Sequence, residues 1–233
     1  MNDFIRIFLQ DAFMVSYMLV VLMSIIRYPR YFDTPLKFLP VVFFYTLLTE
    51  VLGGVILVNE NWSFFSNDLF NYYNLVIYNI YYIIFFLYFY YMYWRYLRNS
   101  LFRLLVSYGA LLFLVVSVIN PFFQSFLYES QTFAYVTGTL VLLLAIVLYS
   151  FEQFNNELAV PSRYNLIFWL SIGLVVFYAC YLPIEIYRYW NFKFGGHEPG
   201  YVRSIVHGLI LIMNLLFCVG FLKMNHKPVT IKR

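Results

Sequence analysis

Residues 78–94 read YNIYYIIFFLYFYYMYW, eleven aromatic residues in seventeen positions, seven of them tyrosine, with no charged side chain and a single amide, Asn79. Taken with the residues before it, the stretch forms an apolar run over 70–94, long enough to cross the roughly 30 Å of hydrocarbon in a bilayer. The rest of the chain repeats the pattern. Apolar runs over 7–26, 37–58, 101–119, 131–151, 164–187 and 202–222 bring the number of spans to seven. The predicted fold is all-α, a polytopic membrane bundle of seven transmembrane helices in one domain covering 1–233. These runs are too long for barrel strands and lack their alternation of apolar and polar residues.

Composition supports this. The 233 residues are 63% hydrophobic, 24% aromatic and 11% charged, and the charge content is less than half that of a typical soluble domain. The leader MNDFIR is not clearly basic and no small-residue cleavage site follows it, so the first span is expected to remain in the mature chain. What the spans leave over is too short for a soluble domain, so any output is expected to pass through a membrane or cytoplasmic signalling partner.

Lysine and arginine in the short loops set the expected orientation. Arg27, Arg30, Lys37, Arg95, Arg98, Arg103, Arg163, Lys223, Lys227, Lys232 and Arg233 fall on one side, against Arg6, Arg188, Lys193 and Arg203 on the other. The N-terminus is therefore expected outside and the C-terminus inside. The net charge of +4 is explained by inner basic residues meeting anionic lipid, and no nucleic-acid partner is needed.

A charge inside a span costs about 2.5–3.5 kcal/mol at the bilayer centre on insertion scales, so each one is a candidate for function. Glu50, in FFYTLLTEVLGGVIL, lies about eight residues, roughly 12 Å, from the outer end of its span. Asn79 lies roughly 13 Å from the outer start of the next span, which predicts that the two meet across the hairpin. Gly53 and Gly54 share the face of Glu50 and would admit a neighbour or a ligand. Tyr72, Tyr82, Phe86 and Tyr90 share the face of Asn79. A carboxylate beside tyrosine rings can hold a cation or an amine-bearing ligand through charge pairing and cation–π attraction. Asp11, Asn74, Glu185 and His207 belong to the same outer half and Asn214 lies deeper, so the expected ligand-binding set is Glu50, Asn79, Tyr82, Asn74, Glu185, His207 and Asn214. Against this stands the plainer alternative that Asn79 and Asn214 only hydrogen-bond between helices, and that Asp11 and Glu185 are wet interfacial groups. The outer segment RYWNFKFGGHEPGY (188–201) reads either as a lid over the cavity or as an interfacial loop anchored by Tyr189 and Trp190.

Other chemistries find no residues. His197, His207 and His226 are placed too far apart to share a zinc ion, and no Gly-flanked serine accompanies His207 as a protease would need. Lys223 stands at the inner end of the last span rather than at its middle, where a retinal-binding lysine belongs. Cys180 and Cys218 differ in depth by roughly 10 Å, too far for a disulfide. No cofactor or metal is expected.

The segments FFYTLLTEVLGG, NLVIYNIYYIIFF, YVTGTLVLLLAIVLYSFEQ and FWLSIGLVVFYACYLP together resemble an uncharacterised group of small seven-helix membrane proteins of Bacteroidetes-type bacteria. In helix layout that group is loosely similar to the seven-helix input modules of bacterial histidine kinases. The resemblance implies an inner-membrane location and a seven-helix bundle, and supplies no catalytic residues. The expected function is a non-enzymatic sensor or binding module with a polar pocket facing the periplasm. The alternatives are a small transporter or channel, a membrane enzyme acting on lipid through Glu50 or Glu185 with His207, and a structural membrane subunit.

Overall fold

The computed structural model describes residues 3–58, 75–154, 164–196 and 199–224. They form seven helices: α1 Asp3–Arg27, α2 Leu39–Val58, α3 Leu75–Tyr96, α4 Ser100–Ile119, α5 Thr132–Phe154, α6 Leu166–Lys193 and α7 Gly200–Lys223. Among the described residues there is no strand. All seven helices contain a segment long and apolar enough to span a membrane.

Neighbour packing orders the helices. α1 touches α2 and α7, α2 touches α3, α3 touches α5, α5 touches α6 and α6 touches α7, so six helices close a ring. α4 stands outside it, against α3 and α5. Of its twenty residues only Val106 and Phe113 are buried. The outward faces carry residues such as Val41, Phe44, Leu104, Leu111 and Val118, an apolar mantle suited to lipid.

The bundle has two ends, an N-terminal end where α1 begins and a C-terminal end where α7 finishes. Toward the C-terminal end the interior is filled with rings. Phe89, Met92, Tyr93, Phe217 and Phe221 are at most 1% exposed, and Phe43 of α2 reaches across to Phe217 and Phe221 at centroid distances of 5.6 and 6.2 Å. Gly173 makes room for this packing, since a Cβ there would lie 2.7 Å from the Phe217 ring. Tyr93 and Ser171 share a hydroxyl hydrogen bond of 2.8 Å between α3 and α6.

Hydrogen bonds close the same end. The Arg30 guanidinium donates to the Met224 carbonyl (2.6 Å). The Glu152 carboxylate accepts from the backbone N–H groups of Arg98 (2.7 Å) and Asn99 (3.3 Å), while the Asn99 side chain caps α4 by accepting from Leu101 N (2.9 Å). Burial holds the Tyr31 phenol above its ordinary pKa, which keeps it a donor to the Ser24 carbonyl (2.5 Å).

At the N-terminal end the segment 188–201 begins as helix rather than as loop. Residues 188–193 continue α6. The helix stops in a Schellman motif, with Gly195 at φ 67° and Gly196 N donating to the Asn191 carbonyl at 2.8 Å. Only a residue without Cβ takes that φ freely, so the Gly-Gly pair, and not the aromatic run before it, ends the helix.

Candidate functional site

The polar side chains of the N-terminal half fall into two groups, one on either side of α3. The first surrounds Glu50. This residue is half-buried, on the face of α2 that also buries Thr46 and Gly53. The Tyr78 hydroxyl donates to Glu50 Oε2 at 3.2 Å. Tyr17 of α1, Tyr81 of α3 and Arg203 of α7 lie within electrostatic reach of the carboxylate. Tyr81 is held in place by a hydroxyl hydrogen bond with Thr46 (3.0 Å) and by the Tyr45 ring at 5.7 Å. His207 lies one helical turn from Arg203, on the same face of α7. It stacks on Phe13 of α1 at 4.3 Å with 11° between the rings, and Phe13 in turn meets Tyr17 edge-on at 6.2 Å. Hydrogen bonds thus join α2 to α3 at Glu50 and at Thr46, and a ring stack joins α1 to α7.

The second group surrounds Glu185, which is 5% exposed. Ser130 donates to its Oε1 at 2.6 Å and Tyr181 to its Oε2 at 3.2 Å. The Arg188 guanidinium lies 3.9 Å from Oε2 and donates to the Tyr181 hydroxyl at 2.7 Å. Ser130 belongs to the connection between α4 and α5, so this carboxylate ties that connection to α6. A carboxylate with these three partners is already satisfied by its own fold.

Asn79 does not face Glu50. Its Nδ2 donates to the carbonyls of Phe126 (2.8 Å) and Glu129 (2.9 Å), and its Oδ1 accepts from Gln131 N (3.3 Å). All three partners lie in the α4–α5 connection. The grouping of Asn79 with Tyr82, Phe86 and Tyr90 on one face holds, but that face looks toward α4, α5 and the connection between them. Tyr82 packs edge-on against Tyr135 at 4.8 Å, Phe86 against Phe113 at 5.5 Å, and the Tyr90 hydroxyl donates to the Gly138 carbonyl at 2.6 Å. The residue that meets Glu50 is Tyr78, one position earlier and 100° around the helix.

The other expected residues divide as follows. The Asn214 Nδ2 donates to Ser16 Oγ at 2.8 Å, a buried hydrogen bond between α7 and α1. Gly54 is exposed and a Cβ there would meet no described atom within 4 Å, so close packing does not require it to be glycine. Asn74, Tyr72, His197, His226 and the side chain of Asp11 lie outside the described residues. Cys180 is exposed and Cys218 half-buried, and both are free thiols. Among the described residues no three metal-ligating side chains cluster.

Tyr17, Tyr78 and Arg203 at the first group and Ser130 and Tyr181 at the second are not among the residues expected from the sequence. In the sequence Arg203 reads as a topological charge, and Tyr78 is one of many tyrosines beside a more conspicuous amide. The α4–α5 connection did carry a signal. NPFFQSFLYESQ concentrates three side-chain amides and two serines in a short turn, and Asn120 Nδ2 indeed donates to Gln124 Oε1 (3.0 Å) and Gln131 Oε1 (2.6 Å).

Between Asn79, Tyr82, Gln131 and Tyr135 there is a cavity of about 10 Å³, room for about one water and too small for a ligand. The buried Tyr135 hydroxyl, which has no protein partner, is placed to bond such a water. Glu50 keeps accessible surface and has one hydrogen-bond donor among the described residues, and can therefore accept more.

No protein-family model matches the chain, and no curated protein and no solved structure matches it either. The functional reading rests on the geometry of the site.

Proposed function

We propose that the protein is a non-enzymatic seven-helix sensor or binding module of the bacterial inner membrane, which takes a small amine-bearing ligand at Glu50 from the periplasmic side. One observation carries this reading. Glu50 is a half-buried carboxylate with a single donor among the described residues, the Tyr78 hydroxyl, in the N-terminal half of the bundle, above a C-terminal half whose interior is filled with aromatic rings. The orientation, with the N-terminus outside, follows the excess of basic residues at the C-terminal end. It is reinforced by the fact that Arg188 at the opposite end is matched with Glu185. The sensor assignment also draws on the resemblance in helix layout to kinase input modules.

The packing supports binding over conduction. A transport path would have to continue past Phe89, Tyr93, Phe217 and Phe221, and Glu152 beyond them is committed to the α3–α4 turn. It also supports binding over catalysis, since His207 stacks on Phe13 and makes no ion pair with either carboxylate. The test is thermal unfolding in lipid nanodiscs across a panel of amines and cations. Stabilisation by some members in the wild type and none in Glu50→Gln is expected, and an identical response in both would end the proposal.

A further inference from the structure

At the C-terminal end of the bundle, three arginines flank the turn between α3 and α4: Arg95, Arg98 and Arg103. The Glu152 carboxylate fixes this turn by accepting from Arg98 N and Asn99 N, and is thereby committed to backbone donors. Arg103, in the first turn of α4, lies over the ring of Trp94 in the last turn of α3, its guanidinium carbon 4.3 Å from the ring centroid. The Arg103 Nε is buried and has no hydrogen-bond partner among the described residues, and no described carboxylate lies within 4.0 Å of the side chain. Arg103 as a whole is half-buried and so keeps accessible surface, while Arg95 and Arg98 are exposed.

A guanidinium in this setting is prepared for an anion. The indole takes one face of the planar group by cation–π attraction, and the donors at its edge match the oxygens of a phosphate. Partial burial without a countercharge strengthens the pull on an incoming anion. Position selects the kind of anion. Trp94 and Arg103 stand at the ends of membrane-length helices, the level of lipid headgroups, and α4 packs outside the ring of six, against α3 and α5. Further along α4, Leu104, Tyr108 and Leu111 are exposed. A phospholipid can lay its acyl chains on these residues, whereas a free phosphate ester has nothing to place there. We propose that the α3–α4 hairpin holds the phosphodiester of an anionic phospholipid, with Arg103 on Trp94 as its principal ligand and Arg95 and Arg98 adding charge. This site is separate from Glu50 and stands or falls without it.

The experiment titrates the full chain, delipidated in detergent, with dioleoylphosphatidylglycerol and dioleoylphosphatidylcholine, and reads bound lipid by native mass spectrometry, with glycerol 3-phosphate as competitor. Phosphatidylglycerol is expected to bind at least about fivefold more tightly than phosphatidylcholine, the effect of about one basic residue at a charged membrane surface. Glycerol phosphate is expected not to displace it. Arg103→Gln is expected to abolish the preference. Lys223→Gln, which removes the cation lying 4.7 Å over the Trp169 ring at the same end, is expected to leave it intact. Equal affinity for the two lipids in the wild type would overturn the site, and equal losses in the two variants would reduce it to diffuse charge and overturn it too. Displacement by glycerol phosphate would overturn the lipid as occupant. If Arg103→Gln fails to fold, Arg103→Lys decides, because it keeps the charge and loses the planar fork: a fall in preference of at least about twofold supports the site, and no change overturns it.

Discussion

Glu50 and Glu185 are two carboxylates in the same half of one membrane bundle, and the fold treats them differently. Glu185 has donors from Ser130 and Tyr181 and a guanidinium 3.9 Å away, and is 5% exposed. Glu50 is half-buried and, among the described residues, receives one hydrogen bond, from Tyr78. A buried charge with a full set of partners is part of the scaffold, whereas one with spare acceptor capacity and remaining access is available to something else. Depth in the membrane, which made both residues candidates, does not distinguish them. Coordination does.

Four substitutions test this contrast. The largest effect on stability is expected from Glu185→Ala, which strands Ser130, Tyr181 and Arg188 together. A loss of about 3 kcal/mol is expected from hydrogen bonds to a charged group, seen as a fall in unfolding temperature on the order of 5–10 °C for a chain of this size. A fall of under a degree would mean that Glu185 is no more structural than Glu50. Next comes Asn79→Ala, which cuts three hydrogen bonds between α3 and the α4–α5 connection. At about 0.6 kcal/mol for each contact in a membrane protein, the cost should approach about 2 kcal/mol. Hydrogen exchange over residues 120–131 should rise, and ligand response should survive. Loss of ligand response with an unchanged loop would instead return Asn79 to the binding site.

Asn214→Leu removes a single bond to Ser16 and should cost about 0.6 kcal/mol in the same unfolding assay. The smallest change in stability is expected from Glu50→Gln, within about 0.5 kcal/mol of wild type, because the amide oxygen still accepts from Tyr78 and no ion pair is broken. That variant should nevertheless lose the ligand-dependent shift. If it unfolded as readily as Glu185→Ala, Glu50 would be a structural residue and the contrast would collapse.

Much of the architecture was legible in the chain. Seven apolar runs gave seven helices because a bilayer of fixed thickness demands runs of that length. Glu50 was legible as a candidate because charge at that depth is costly. The end of α6 was not, because RYWNFK reads equally as an aromatic belt or as more helix, and only the glycine pair after it stops the chain. Arg203 was not legible either, since an arginine near a span boundary satisfies the topological account without further explanation.

The pairing of Glu50 shows where the boundary lies. The sequence alone determined that Tyr78 and Asn79 would sit at nearly the depth of Glu50, because rise per residue converts position into depth. It could not determine which of the two would meet it. Adjacent helical residues point 100° apart, and α3 is apolar on every side, so no polar stripe fixes its rotation about its own axis. Tertiary packing made the choice. Three hydrogen bonds from the α4–α5 connection hold Asn79 on one side, the Gly138 carbonyl holds Tyr90 on the same side, and Tyr78 is thereby turned toward Glu50.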